Sequence, residues 1–136
     1  MKISFGAKIT VNPNIYKGLE GEDLKNVQKF TQDCVQLMEI PQIKKATESD
    51  TLEISKATTR GKNCHNVQFT FNNEKFEKPI EIELCGTKAS NLKANQFIFH
   101  LMLYLHSIKL GLPQRYSLTH DKMVQETIEE LKKIEV

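Results

Sequence analysis

Three cysteines (Cys34, Cys64, Cys85) and four histidines (His65, His100, His106, His120) are the side chains of this 136-residue chain from which a thiol nucleophile and its base would be drawn. Such a pair needs the imidazole beside the sulfur, so that the thiolate forms at neutral pH. Cys34 is the poorest of the three. It falls in the middle of an apolar helical arc, where a cysteine is a small inert hydrophobe and burial raises the thiol's pKa. Cys64 is the best, because it borders a loop containing Arg60 and Lys62, whose charges would favour a thiolate. Even so, the reading as a plain loop cysteine outweighs the catalytic one.

Metal chemistry is not expected. His100 and His106 are six residues apart, which turns them about 120° from each other on a regular helix and prevents them from sharing one ion. Cys64, His65 and Cys85 offer no CxxC, HxxxH or HExxH spacing. Glu81 and Glu83 alternate on one strand with Glu53 on a neighbouring one, so acid–base work by paired carboxylates is conceivable. Without a pocket, carboxylates on an open sheet face serve solubility. No P-loop, GxGxxG or GxSxG occurs. The chain therefore carries no assigned catalytic residue, metal ligand or cofactor site, and an enzyme is the third-ranked reading, as a small cysteine- or carboxylate-dependent one.

The second-ranked reading is nucleic-acid binding through the basic stretch KATTRGKN (residues 56–63), with Lys56, Arg60 and Lys62 on the phosphates and Lys44 and Lys45 assisting. Against it, the outer sheet face presents Glu and Gln where an RNA-binding sheet carries stacking aromatics. The net charge of +2, from 19 basic and 17 acidic residues spread along the chain, implies no polyanionic partner.

The elements that must position these groups follow from periodicity. Ile3, Phe5, Ala7, Ile9 and Val11 alternate on one face of a first strand. From Glu22 to about Ile40, Leu24, Val27, Phe30, Thr31, Cys34, Val35, Leu37 and Met38 share a helical arc that Pro41 should end. QIKKATESD reads as a polar linker. The pairs and triplets Leu52/Ile54, Val67/Phe69/Phe71 and Ile80/Ile82/Leu84 read as an antiparallel meander joined by TTRGKN and NNEKFEKP. A second helix is expected from about Asn91 to Leu110, stopped by Gly111 and Pro113, and a third from Thr119 to about Ile134.

The result is a single α+β domain over residues 1–136, with two layers: a four-stranded, mostly antiparallel sheet covered on one face by helices, in the order β-α-β-β-β-α-α. A composition of 39% hydrophobic and 26% charged residues fits a soluble globular domain. The apolar stretch ANQFIFHLMLYLHSIKLG (residues 94–111) is too short and too interrupted by His, Asn and Lys to span a bilayer. Its broad arc, Ala94, Phe97, Ile98, Leu101, Leu105 and Ile108, is the expected cover for the sheet. Phe99, Leu103 and Leu110 lie on a further side. They form a candidate interface, covered either by the last helix, through Met123, Val124, Thr127, Ile128, Leu131 and Ile134, or by another subunit. Cover by the last helix, and hence a monomer rather than a homodimer, is the expectation. With no h-region in MKISFGAKITV and three widely spaced cysteines, a cytoplasmic location with reduced thiols is expected. A non-enzymatic protein-interaction module, with a protein partner and no membrane, is the first-ranked functional reading.

Overall fold

The computed structural model describes residues 6–58, 64–112 and 120–135. Strand β1 (Lys8–Val11) leads through a short 3-10 turn into helix α1 (Gly21–Leu37) and the short helix α2 (Pro41–Ala46). Strands β2 (Thr51–Lys56), β3 (Val67–Asn72) and β4 (Ile80–Leu84) follow, then helix α3 (Ala94–Tyr104), a π-turn (Leu105–Lys109) and helix α4 (His120–Lys132). Among the described residues no helix is long and apolar enough to cross a membrane. The expected α+β architecture is present.

The sheet order is β1-β2-β3-β4. It is mixed rather than mostly antiparallel: β2, β3 and β4 pair antiparallel through short connections, while β1 runs parallel to β2. Two helices separate β1 from β2, and a crossover of that length is what a parallel pair requires. The registers put like with like. Ile54 faces Phe69, Phe69 faces Ile82, Leu52 faces Phe71, and Val11 faces Ile54, so the alternating apolar residues form one continuous floor.

On that floor α1 buries Val27, Phe30, Thr31 and Cys34, and α3 buries Phe97, Leu101, Met102 and Tyr104. Phe69 lies 4.6 Å, ring centre to ring centre, from Phe97, and Phe71 stacks on Tyr104 at 3.9 Å. Burial of such aromatics contributes most per residue to a core of this size.

Three boundaries differ from the sequence reading. Helix α1 stops at Leu37, before Pro41. Pro41 starts α2, where its missing N–H costs nothing in the first turn, so the first part of the supposed linker is helical and Ile43 joins the core. The second helix begins at Ala94, after a 3-10 turn at Ala89–Asn91 that Asn26 of α1 holds by donating to the carbonyls of Ala89 and Leu92 at 2.6 and 3.1 Å. Its last turn is π-helical, with Leu110 N–H donating to the Leu105 carbonyl at 2.7 Å. Ile3, Phe5 and Thr119 lie outside the described residues.

Candidate functional site

Among the described residues no hydrogen bond joins a cysteine thiol to an imidazole, and the side chain of His120 lies outside them. Cys34 is fully buried in the core beneath α1, and its thiol is pushed far up by desolvation and by the Asp33 charge. Cys64 is half-buried and Cys85 is exposed. Desolvation, the hydrogen bond to Glu83 and that carboxylate's charge raise the Cys85 thiol, the opposite of activation. The buried His65 has its Nε2 2.7 Å from the Ile15 carbonyl, a contact that assigns the ring N–H to that nitrogen, and burial lowers its pKa. His100 is lowered by burial as well. Among the described residues no group of three or more His, Cys, Asp or Glu side chains converges as a metal site would require.

The basic stretch is only partly described. Lys56 is exposed at the end of β2, its backbone N–H bonded to the Asn14 side chain at 3.0 Å, while Arg60 and Lys62 lie outside the described residues. The open sheet face is polar and acidic, as its alternation implies. Glu53 pairs across to Thr70, Thr70 to Glu81, and Gln68 to Glu83.

A buried polar cluster around Asp50 was not legible in the sequence. Asp50 ends the connection into β2 and its side chain is fully buried. It accepts from the Tyr104 hydroxyl at 2.8 Å, from the Asn73 amide at 2.8 Å and from the Lys109 ammonium at 2.9 Å. Residues 104 and 109 point about 140° apart on a regular α-helix. The π-turn adds the residue that brings Lys109 round to Tyr104's side, where one carboxylate satisfies both. Desolvation, then the bond to Asp50 and its charge, push the Tyr104 phenol strongly upward, so it stays protonated and serves as a donor. A hydrophobic residue count cannot find this cluster; an Asp just before a strand and a Lys at the end of an apolar helix are its only traces.

The same π-turn displaces the side chains that follow it. Ile108, expected on the core-facing arc, is exposed, and His106 is buried in its place. Among the described residues neither ring nitrogen of His106 has a hydrogen-bond partner, and a carboxylate oxygen of Glu126 on α4 is 3.8 Å from Nε2.

Helix α4 buries Met123, Thr127 and Leu131, yet it does not cover the candidate interface as expected. Phe99 and Leu103 remain 47% and 42% exposed, and Leu110 alone of the three packs half-buried against the core. The reason is geometric: α4 lies over the Ile98, Leu101 and Met102 side of α3. Between α4 and the α1–α2 corner this leaves an apolar cleft of about 430 Å³ lined by Leu37, Ile40, Ile98, Leu101, Met102 and Ile128. Ile98 also lines the two adjoining grooves, one toward Asp33 and Gln36 of α1 and one toward Asp121, Val124 and Glu129 of α4. Ile98 lines all three depressions. Comparison with protein-family models, curated proteins and solved structures found no match for this chain.

Proposed function

We propose that this chain is a non-enzymatic protein-interaction module that takes an apolar segment of a partner into the cleft on its helical face. One observation carries the reading: Ile40, Ile98 and Ile128 stand at least partly solvent-accessible around a depression of about 430 Å³ whose depth is set by Leu101 and Met102. A concavity of that size and lining suits one or two bulky apolar anchors, the arrangement by which grooves hold amphipathic helices. The Asp50 cluster reads as part of the scaffold, since Tyr104, Asn73 and Lys109 all donate to its one carboxylate. The nucleic-acid reading gains no comparable support, because Glu53, Glu81 and Glu83 on the open face oppose phosphate.

Selection from a displayed library of 16-residue peptides tests the proposal, with Ile98→Glu as the counter-target and circular dichroism confirming that variant's fold. The expected result is enrichment of sequences with apolar residues at i, i+3 or i+4, and i+7 that bind the wild type and not the variant. Enrichment indifferent to Ile98→Glu, or none at all, would overturn it.

A further inference from the structure

We propose that the outer edge of β4 takes up an extended segment of a partner protein in which apolar residues alternate with lysines or arginines. Strand β4 ends the sheet, with β3 on one side and no described strand on the other. Alternate backbone N–H and C=O groups along it therefore point outward, a template for one more strand. This surface is apart from the cleft, none of whose lining residues belongs to β4. The apolar floor is also incomplete there: Val67, Phe69 and Phe71 of β3 are fully buried, whereas Ile80, Ile82 and Leu84 of β4 are only partly covered. An added strand brings every second side chain beside these three and extends the cover. Neither lysine nor proline, the residues that commonly guard an edge, occurs within Ile80–Leu84. The opposite edge strand, β1, is shorter and carries Lys8.

The charge of the segment's other face follows from Glu81 and Glu83, which stand on the open side of β4. Their cross-strand neighbours on β3 are the neutral Thr70 and Gln68, and beyond Thr70 comes another carboxylate, Glu53. The Cys85 thiol bonded to Glu83 carries no charge. Lys8 lies at the far edge of the sheet. In the β3–β4 connection Lys75 and Lys78 are matched by Glu74 and Glu77, and Lys88 follows only after the strand has ended. A second copy of β4 would set carboxylates beside carboxylates in every register that keeps Ile82 toward the floor, because the side-chain period is two. Lysine or arginine at the alternate positions meets them with opposite charge instead.

The test uses the full chain and four fluorescein-labelled nine-residue peptides with valine at alternate positions. Three carry Lys, Thr or Glu between the valines, and the fourth is the Lys peptide with three consecutive central nitrogens methylated, which removes donors on both of its edges. Fluorescence anisotropy is read for the wild type and for Glu81→Gln/Glu83→Gln, whose fold circular dichroism checks, and hydrogen exchange with mass spectrometry locates the bound peptide. The expected order of affinity is Lys, then Thr, then Glu. Methylation weakens the Lys peptide by about tenfold or more. The double variant also weakens it by about tenfold and leaves the Thr peptide unchanged. Exchange within Ile80–Leu84 slows when the Lys peptide binds, and exchange within α1 does not. A methylated peptide that binds as tightly as its parent, or slowing confined to other elements, would show that no strand is added. Equal binding of the Lys and Thr peptides, or a double variant that binds the Lys peptide as the wild type does, would overturn the basic occupant. Failure of all four peptides would overturn the proposal outright. So would a wild-type dimer by light scattering whose formation slows exchange within Ile80–Leu84, since the edge would then belong to a second copy.

Discussion

At the scale of single residues, burial decides what the ionisable and thiol groups do. Cys34 has no solvent exposure and Cys64 is half-buried, so the same Cys→Ser change has two different costs. Cys34→Ser places a hydroxyl in an apolar core and is expected to destabilise by about 1–3 kcal/mol, whereas Cys64→Ser stays within about 0.5 kcal/mol. Urea titrations of the two variants check this, and equal losses would contradict the placement of Cys34. His65 gives a pH dependence with a definite sign. In the unfolded chain its imidazole titrates near 6.5, and burial lowers it in the fold. Between those two values the unfolded chain binds more protons, so the stability held by neutral His65 is complete above about pH 6.5 and declines as pH falls toward the folded value. His100 acts in the same direction. The melting temperature is expected to drop by several degrees between pH 7.5 and 5.5, and less steeply in His65→Gln, whose amide can still donate to Ile15. A drop of the same size in that variant would remove His65 as a cause.

At the scale of elements, the π-turn and the entry to β2 depend on each other through Asp50. Removing the carboxylate strands the Lys109 charge and the Tyr104 hydroxyl in a region that is mostly or fully buried. Asp50→Ala is therefore expected to cost about 3–5 kcal/mol, while Tyr104→Phe, which leaves Asp50 with two other donors, costs about 1–2 kcal/mol. Chemical denaturation at pH 7 measures both. Amide exchange at Leu110, whose N–H closes the π-turn, should accelerate in Asp50→Ala more than exchange within α1 does. Similar small losses for the two variants, or unchanged exchange, would show that the turn holds without the carboxylate.

For the whole molecule, the position of α4 determines what surface is presented. Because α4 packs over the Ile98 side of α3, Leu103 stands 42% exposed, and Leu103→Glu is expected to leave the chain folded with a loss below about 1 kcal/mol. Wild type and variant should both scatter light as monomers at micromolar concentration. Outright unfolding of the variant would show that Leu103 is covered, and a wild-type dimer that the variant dissociates would make this stripe an interface between copies.

Period-two and period-3.6 apolar patterns by themselves determined the strands, the two long helices and the core membership of Phe69, Phe71, Phe30, Phe97 and Leu101, because each repeat allows only one face to be buried. The same patterns could not show that Pro41 opens a helix rather than ending one, since proline is compatible with both places. They could not show the parallel pairing of β1, which depends on where the α1–α2 crossover returns the chain. They missed the Asp50 cluster for a different reason: Asp50, Asn73, Tyr104 and Lys109 are distant in sequence, and only the added residue of the π-turn puts Tyr104 and Lys109 on one side. That turn also replaced Ile108 by His106 in the interior. The cleft at Ile98 is tertiary in the same sense. Its walls come from four helices, and the angle at which α4 crosses α3, which no local spacing encodes, left Ile98 and Ile128 bordering an open groove instead of a closed core.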